Sequence, residues 1–393
     1  MKRTIKDLTG LKGKVVLLRV DFNVPMDDNG RIMDYTRILA ELPTIRYLSK
    51  QGARIVLLSH LGRPNGFELK KSLWPVALFL MKKLTCNVDF CNKVIGQEVK
   101  DRIAVLKDGN VLLLENVRFY EEETSNDKNF AREIASYGDI YVNDAFASAH
   151  RENVTTYGLA TILPNATGFL MERELKELSA LLSEPERPFV AIIGGAKVKD
   201  KLPVLSALID KADTLIIGGA MAYTFLKAKG ETIGSSICDD ESLPKAKEIL
   251  NKAYEQGKKI LLPIDHVCMK KREKSGNIYQ VRKLTGDLVG YDIGDETARV
   301  FARAIKGAKT VFWNGPVGKF EDAQFADGTV AVAKAVASCK GHTIVGGGDT
   351  ASAINQLDLA HKIDYISTGG GATLEFIEKG SLPCVDVLQE RSI

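Results

Sequence analysis

The chain has 393 residues, more than one ordinary core encloses, so two domains are expected. A net charge of +4 gives no reason to expect a general nucleic-acid or membrane surface, and no apolar run approaches the ~20 residues of a membrane helix. The six cysteines form no CxxC pair and no histidine stands near Cys86 and Cys91, which argues against a zinc site and for free thiols in a reducing compartment.

The N-terminal MKRTIKDLTG has no apolar stretch and does not read as a signal peptide, so the expectation is a soluble, cytoplasmic protein. In chain order, KVVLLRVDFNVP (Lys14 to Pro25) is the first of four short apolar runs that predict buried strands. Thr36 to Lys50 follows with Leu39, Leu42, Ile45 and Leu48 three residues apart, which predicts a helix. ARIVLLSHLGRP (Ala53 to Pro64) is the second run. Its strand, Ile55 to Leu58, ends in Ser59, His60, Gly62 and Arg63, and Pro64 stops a helix from starting there. Leu73 to Leu84 reads as a second helix, and VLLLENVRF (Val111 to Phe119) and DIYVNDAFASAHR (Asp139 to Arg151) as further strands with polar ends. In GFLMERELKELSALLSEPERP, Leu170, Leu175, Leu178, Leu181 and Leu182 fit one apolar stripe that Pro185 and Pro188 end, as expected of a helix joining two domains.

The second half repeats the layout with other strand ends: PFVAIIGGAKVKDK, TLIIGGAMAYTF, KILLPIDHV, TVFWNGPVGKFE, HTIVGGGDT and YISTGGGATLEF. Strands alternating with helices predict an α/β fold, with parallel sheets covered by helices on both sides. The tail SLPCVDVLQERSI is short, and packing back on the first domain is expected of it.

In such sheets ligands bind at the carboxyl ends of the strands. The first half places Asp21, Asn23, His60, Arg63, Arg118, His150 and Arg151 there, and Arg37 opens the helix after the first strand. Guanidinium forks pair with phosphate or carboxylate, and Asp21 and Asn23 suit a hydroxyl, so a small, multiply anionic, hydroxylated ligand is expected. Any one of these arginines alone reads as an ordinary surface residue. Their recurrence after separate strands is what points to a site.

The second half ends its strands in Gly194-Gly195, Gly218-Gly219, Gly315, Gly346 to Gly348 and Gly369 to Gly371. Glycine lets backbone approach a ligand, and a following helix N-terminus binds phosphate. The bland alternative is tight strand–helix packing. Asp349 and Thr350 add a carboxylate able to hold Mg²⁺ and a hydroxyl, and Lys197 and Lys201 are expected to project from one helix face. No GxxxxGK[ST] occurs. Ser, Cys and His form no triad-like group, so direct in-line phosphoryl transfer between two half-sites is the simplest expectation.

VDFNVP, SHLGRP, LLLENVRF, DAFASAHR, GGAKVKDK, WNGPVGKFE, GGGDT and STGGGATLEF, in this order from about Val20 to Phe376, together resemble the phosphoglycerate kinase family in its compact bacterial form. The resemblance implies a monomeric enzyme of two Rossmann-like three-layer domains with parallel sheets. Residues 1–167 would bind 3-phosphoglycerate, 168–187 would form the joining helix and hinge, 188–376 would bind nucleotide, and 377–393 would return to the first domain. It implies reversible transfer between ATP and 3-phosphoglycerate in glycolysis and gluconeogenesis, with Mg²⁺. Carried over by motif, Asp21 and Asn23 would contact the glycerate, and His60, Arg63, Arg118 and Arg151 would form the basic patch for its phosphate. Arg37 would stabilise the moving phosphoryl group, with Lys197, Gly370 and Gly371 beside it. Lys201 would bind nucleotide phosphates. Gly218, Gly219 and Gly290 would face the adenine, and Asn314 and Glu321 the ribose. Gly347, Gly348, Asp349 and Thr350 would hold phosphates, with Asp349 on Mg²⁺. The chain departs from the family where HREN replaces the usual HRAH, which puts Glu152 and Asn153 at the patch, and also at Ala147, Ser148, Asp295, Glu296 and Lys319.

Two other readings compete. Gly346 to Ala351 matches GxGxxA, which suits an NAD-dependent dehydrogenase of a phosphorylated hydroxy acid, but Asp364 precedes its strand instead of ending it. A non-catalytic phospho-ligand binding protein would keep the arginines and have no need of Lys197 or Asp349.

Overall fold

The computed structural model describes residues 1–271 and 276–391, and the chain forms two compact units, Met1–Lys176 together with the tail from Ser381, and Glu177–Gly380. In the first unit, β1 (Val15–Arg19), β2 (Arg54–Leu58), β3 (Val88–Cys91), β4 (Val111–Leu114), β5 (Ile140–Asn143) and β6 (Asn165–Thr167) form one parallel sheet in the order β3-β4-β2-β1-β5-β6. Alternate residues of β1 enter opposite cores, with Val16 and Leu18 on one face and Val15 and Leu17 on the other. Both faces are covered, by helices that include α1 (Thr36–Lys50) and α2 (Trp74–Lys83). That explains why these strands read as unbroken apolar runs. The chain runs outward from β1 to β2 and beyond, then returns to β5 on the other side. The crevice at the carboxyl ends of β1 and β5 is therefore where such a sheet binds ligands.

The second unit repeats the scheme. Here β7 (Phe189–Ile193), β8 (Thr214–Ile217), β9 (Lys259–Leu261), β13 (Thr310–Asn314), β14 (His342–Gly346) and β15 (Tyr365–Ile366) are parallel in the order β15-β14-β13-β7-β8-β9. The switch point falls between β7 and β13. A separate antiparallel sheet, β11-β10-β12, is formed by β10 (His266–Lys270), β11 (Tyr279–Val281) and β12 (Leu288–Ile293).

That small sheet was not expected. KILLPIDHV is not one strand. Pro263 has no N–H to give a ladder, and the run splits into β9 of the large sheet and β10 of the small one. The edge strands β3 and β6 were also missed, because VDFC and NAT carry too little apolar pattern. The joining helix, α6 (Phe169–Ser183), buries Met171, Glu174, Leu178 and Leu181, whereas Leu170, Leu175 and Leu182 remain partly exposed. The apolar stripe is thus rotated from the predicted one, with a carboxyl group inside it. The boundary between the units falls within this helix. In the tail, Lys2 bridges Glu390, Arg391 N–H donates to the Met1 carbonyl at 2.8 Å, and Arg391 pairs with Asp7 at 3.0 Å.

Candidate active site

Beyond β1, Val20 and Phe22 are fully buried and fix the path of the loop. Asp21 Oδ2 pairs with the Arg37 guanidinium at 2.6 Å, so two predicted site residues meet each other across the start of α1. Asn23 Oδ1 accepts the Gly62 N–H at 2.8 Å, and Arg118 Nη1 donates to the Gly62 carbonyl at 2.7 Å. The peptide at Gly62, with φ +66°, is thereby clamped from both sides. Asn116, not anticipated, holds the same loop by donating to the Leu61 and Lys71 carbonyls at 2.8 and 2.9 Å. Exposed Arg63, half-buried Arg118 and Arg151, and buried Asn153 line one cavity of about 350 Å³. Asn153, one of the departures from the family motif, is therefore part of its wall.

Burial, then the neighbouring Arg19 and Arg151 charges, lower the Arg118 pKa to about 10, and its Nε is buried without a hydrogen-bond partner among the described residues. Like charges gathered at this cost suit an anion. The Arg151 carbonyl accepts from the Thr156 hydroxyl at 2.7 Å and from the Cys384 thiol at 3.1 Å, so the C-terminal tail buttresses this arginine.

His60 is buried, and Arg19 Nη2 contacts its Nδ1 at 3.0 Å. Arginine has no acceptor, so Nδ1 accepts and neutral His60 carries its proton on Nε2. Burial, with Arg19, Arg118, Arg37 and Arg151 around it, holds its pKa well below the usual value. His60 offers an N–H to a ligand and no charge, which corrects its place in a basic patch. Arg19 also donates to the Thr155 hydroxyl at 2.8 Å, and Thr155 donates in turn to buried Glu123 at 2.6 Å. Arg19 was legible only as a lone arginine closing the run VVLLR.

Beneath this rim, Glu41 Oε1 accepts the Asp21 N–H at 2.8 Å. Its other oxygen and Asp144 Oδ2 are buried without a hydrogen-bond partner among the described residues. Burial, first of all, raises both pKa values, that of Asp144 to about 6. Asp144 Oδ1 accepts the Met171 N–H at 2.9 Å and Thr44 Oγ1 the Phe169 N–H at 3.0 Å, so Asp144 and Thr44 cap α6.

In the second unit, Lys201 Nζ donates to the Gly194 carbonyl and, at 2.9 Å, to Asn314 Oδ1, across the β7–β13 switch point. Lys201 and Lys197 do not share a helix face. Pro203 sets the start of α7 at Leu202–Lys211, which leaves Lys201 at its cap and Lys197 exposed in the preceding loop. Burial lowers the Lys201 pKa to about 8, and Asp349 and Asp200 oppose that shift.

The glycines divide into two kinds. A Cβ on Gly218 would meet Val317 at 2.6 Å, one on Gly290 the Tyr223 hydroxyl at 2.0 Å, and one on Gly219 the Gly195 nitrogen at 2.6 Å. These three are required by packing, the bland alternative. Gly348, Gly370 and Gly371 face open space within 4 Å and stand at the starts of α12 (Gly348–Gln356) and α13 (Gly371–Lys379). Gly347, φ +91°, precedes α12 and packs on Asn314. Asn314 therefore supports Lys201 and the Gly347 turn, and Glu321 lies exposed further along its loop. Thr350 turns inward, fully buried, and its hydroxyl accepts the Gly315 N–H at 2.6 Å. Asp349 is exposed in the first turn of α12. Among the described residues no three His, Cys, Asp or Glu side chains form a metal cluster.

These features define an α/β protein with arginine-lined strand ends on one sheet and glycine-opened helix starts on the other, suited to anions on both. A phosphoglycerate kinase family model matches residues 5–380. The phosphoglycerate kinase of Moorella thermoacetica is 51% identical over 99% of this chain and 100% of its own, and that of Borrelia garinii 48% over 99% of each. The solved phosphoglycerate kinase of Coxiella burnetii superposes with a TM-score of 0.89 at 39% identity, and that of Pyrococcus horikoshii with 0.85 at 32%, each over 98% of both chains. The chain belongs to the phosphoglycerate kinase family and is a phosphotransferase with a carboxyl group as acceptor.

Proposed function

We propose that the protein transfers a phosphoryl group reversibly between ATP and the carboxylate of 3-phosphoglycerate, as a monomer in the cytoplasm, within glycolysis and gluconeogenesis. The observation that carries this reading is the guanidinium group around the 350 Å³ cavity, with Arg118 Nε buried and unpartnered, in a chain of this family. Its preferred cargo is the phosphate of a small acid. Among the described residues no helix is long and apolar enough to cross a membrane.

The acceptor is already an ionised carboxylate, so no general base is needed. Its oxygen forms a bond to the γ-phosphorus of ATP as the bond to the β–γ bridging oxygen breaks, and the electrons leave with ADP. Such a step depends on alignment and charge neutralisation. His60 Nε2–H, Arg63, Arg118 and Arg151 hold the phosphate of the acid, Asn23 and Asp21 its glycerate, and Arg37 swings from Asp21 to the moving phosphoryl. Lys201 and the open backbone of Gly348, Gly370 and Gly371 take nucleotide phosphates, with Lys197 at the transferred group and closure of the units joining the half-sites. The exposed Asp349 carboxylate beside the open Gly348 fits Mg²⁺, which would come with the nucleotide phosphates and supply charge neutralisation.

Substitution Arg37→Ala tests this division of labour. It is expected to lower kcat by roughly a hundredfold or more while ADP affinity hardly moves. A fall in ADP affinity instead would overturn the two-half-site reading.

A further inference from the structure

A cavity of about 390 Å³, in the size range of small-molecule pockets, is lined by none of the site residues assigned above. Its wall is apolar: Leu226 of α8 (Met221–Ala228), Leu250 of α9 (Leu243–Glu255), the turn from Leu261 to Ile264, and Val300 of α10 (Asp295–Lys306). Ile264 and Val300 remain 49% and 36% exposed, so the wall opens to solvent through apolar side chains.

His266, the first residue of β10, also lines this cavity and is only 4% exposed. Its Nδ1 is buried without a partner, and neither ring nitrogen is hydrogen-bonded among the described residues. Burial lowers its pKa to about 4, against the opposing charge of Asp265, so the ring is neutral at pH 7 and brings one N–H and one lone pair. Packing alone does not account for it. The ring lies against Tyr223 at 5.6 Å between centroids, a contact phenylalanine makes without burying an unpaired polar atom. At the rim, Glu231 is outnumbered by Lys229, Arg282 and Lys283. Arg282 is engaged by Glu296 at 2.6 Å, whereas Lys229 and Lys283 have no ion-pair partner among the described residues.

We propose that this cavity is a second ligand site that takes a small amphipathic anion, its apolar body against Leu226, Leu250 and Pro263 and its anionic head at Lys229 and Lys283, with His266 bonding a polar atom of the ligand. The proposal does not depend on the phosphoryl-transfer reading.

Octanoate is the probe, titrated calorimetrically into the full chain, with octanol as its uncharged counterpart. Saturable one-to-one octanoate binding is expected, persisting at saturating ATP, with octanol much weaker. The double variant Lys229→Glu/Lys283→Glu changes only exposed side chains and is expected to weaken octanoate roughly tenfold or more. His266→Phe keeps the Tyr223 contact and is expected to weaken it severalfold. Absence of saturable binding, binding untouched by the charge reversal, or displacement by ATP would each overturn the proposal, and the charge-reversal arm decides should His266→Phe fail to fold.

Discussion

Arg19, fully buried at the end of β1, sets what His60 can do. Imidazole nitrogen NMR is expected to show Nε2 protonated at pH 7 and a His60 midpoint well below the ordinary one. A midpoint near the ordinary 6.5 would contradict it. The sign for stability follows. With the folded pKa depressed, the unfolded chain binds the proton first, so this group's contribution is full above about 6.5 and is lost as pH falls below it. Lys201 behaves oppositely with respect to ligand. Its charge is present below about 8, so ADP affinity is expected to weaken as pH rises through that value, and Lys201→Met to remove that dependence. Direct titration of ADP binding between pH 6.5 and 9 checks both. Candidate residues at this scale were legible because charged side chains just beyond apolar strands have few structural uses. Asn116, Arg19 and Glu123 were not, because each acts on another side chain or loop that only the fold brings near.

Elements read less evenly. The unbroken runs of β1 and β2 announced a sheet buried on both faces, whereas β3, β6 and the small antiparallel sheet lacked the pattern that burial on two faces imposes. Glycine-ended strands announced close approach but not its partner, which is protein at Gly218 and Gly219 and open space at Gly348. The two kinds are expected to part on substitution. Gly290→Ala must displace Tyr223 and should cost about 1–3 kcal/mol of stability, whereas Gly348→Ala should leave Tm unchanged or higher yet weaken ADP binding by roughly tenfold. Thermal unfolding and ADP titration of the two variants decide. Asp144, which caps α6 beside buried Glu41, gives a further test. Asp144, with a folded pKa near 6 against an ordinary 3.8, holds its proton in the folded state, so its contribution to stability declines as pH rises from about 4 to 6. Asp144→Asn removes this titration and keeps an acceptor for Met171. Its Tm relative to the parent is expected to rise across that interval, and a pH-independent difference would contradict the raised Asp144 pKa.

For the whole molecule, the proposed function has two six-stranded parallel sheets of different strand order hold anions at their strand ends in different ways. One uses guanidinium side chains, and the other uses open backbone at helix starts with a lysine and a carboxylate. The proposed reaction requires both halves, since alignment and charge neutralisation of two substrates carry it. The most direct measurement is ADP-dependent dephosphorylation of 1,3-bisphosphoglycerate by the purified protein, with and without Mg²⁺. The account predicts ATP formation that requires Mg²⁺ and falls sharply in Arg37→Ala. Folded protein that forms no ATP would contradict it, and would mean that the pocket bordered by Arg118, Arg151 and Asn153 serves another phosphorylated acid.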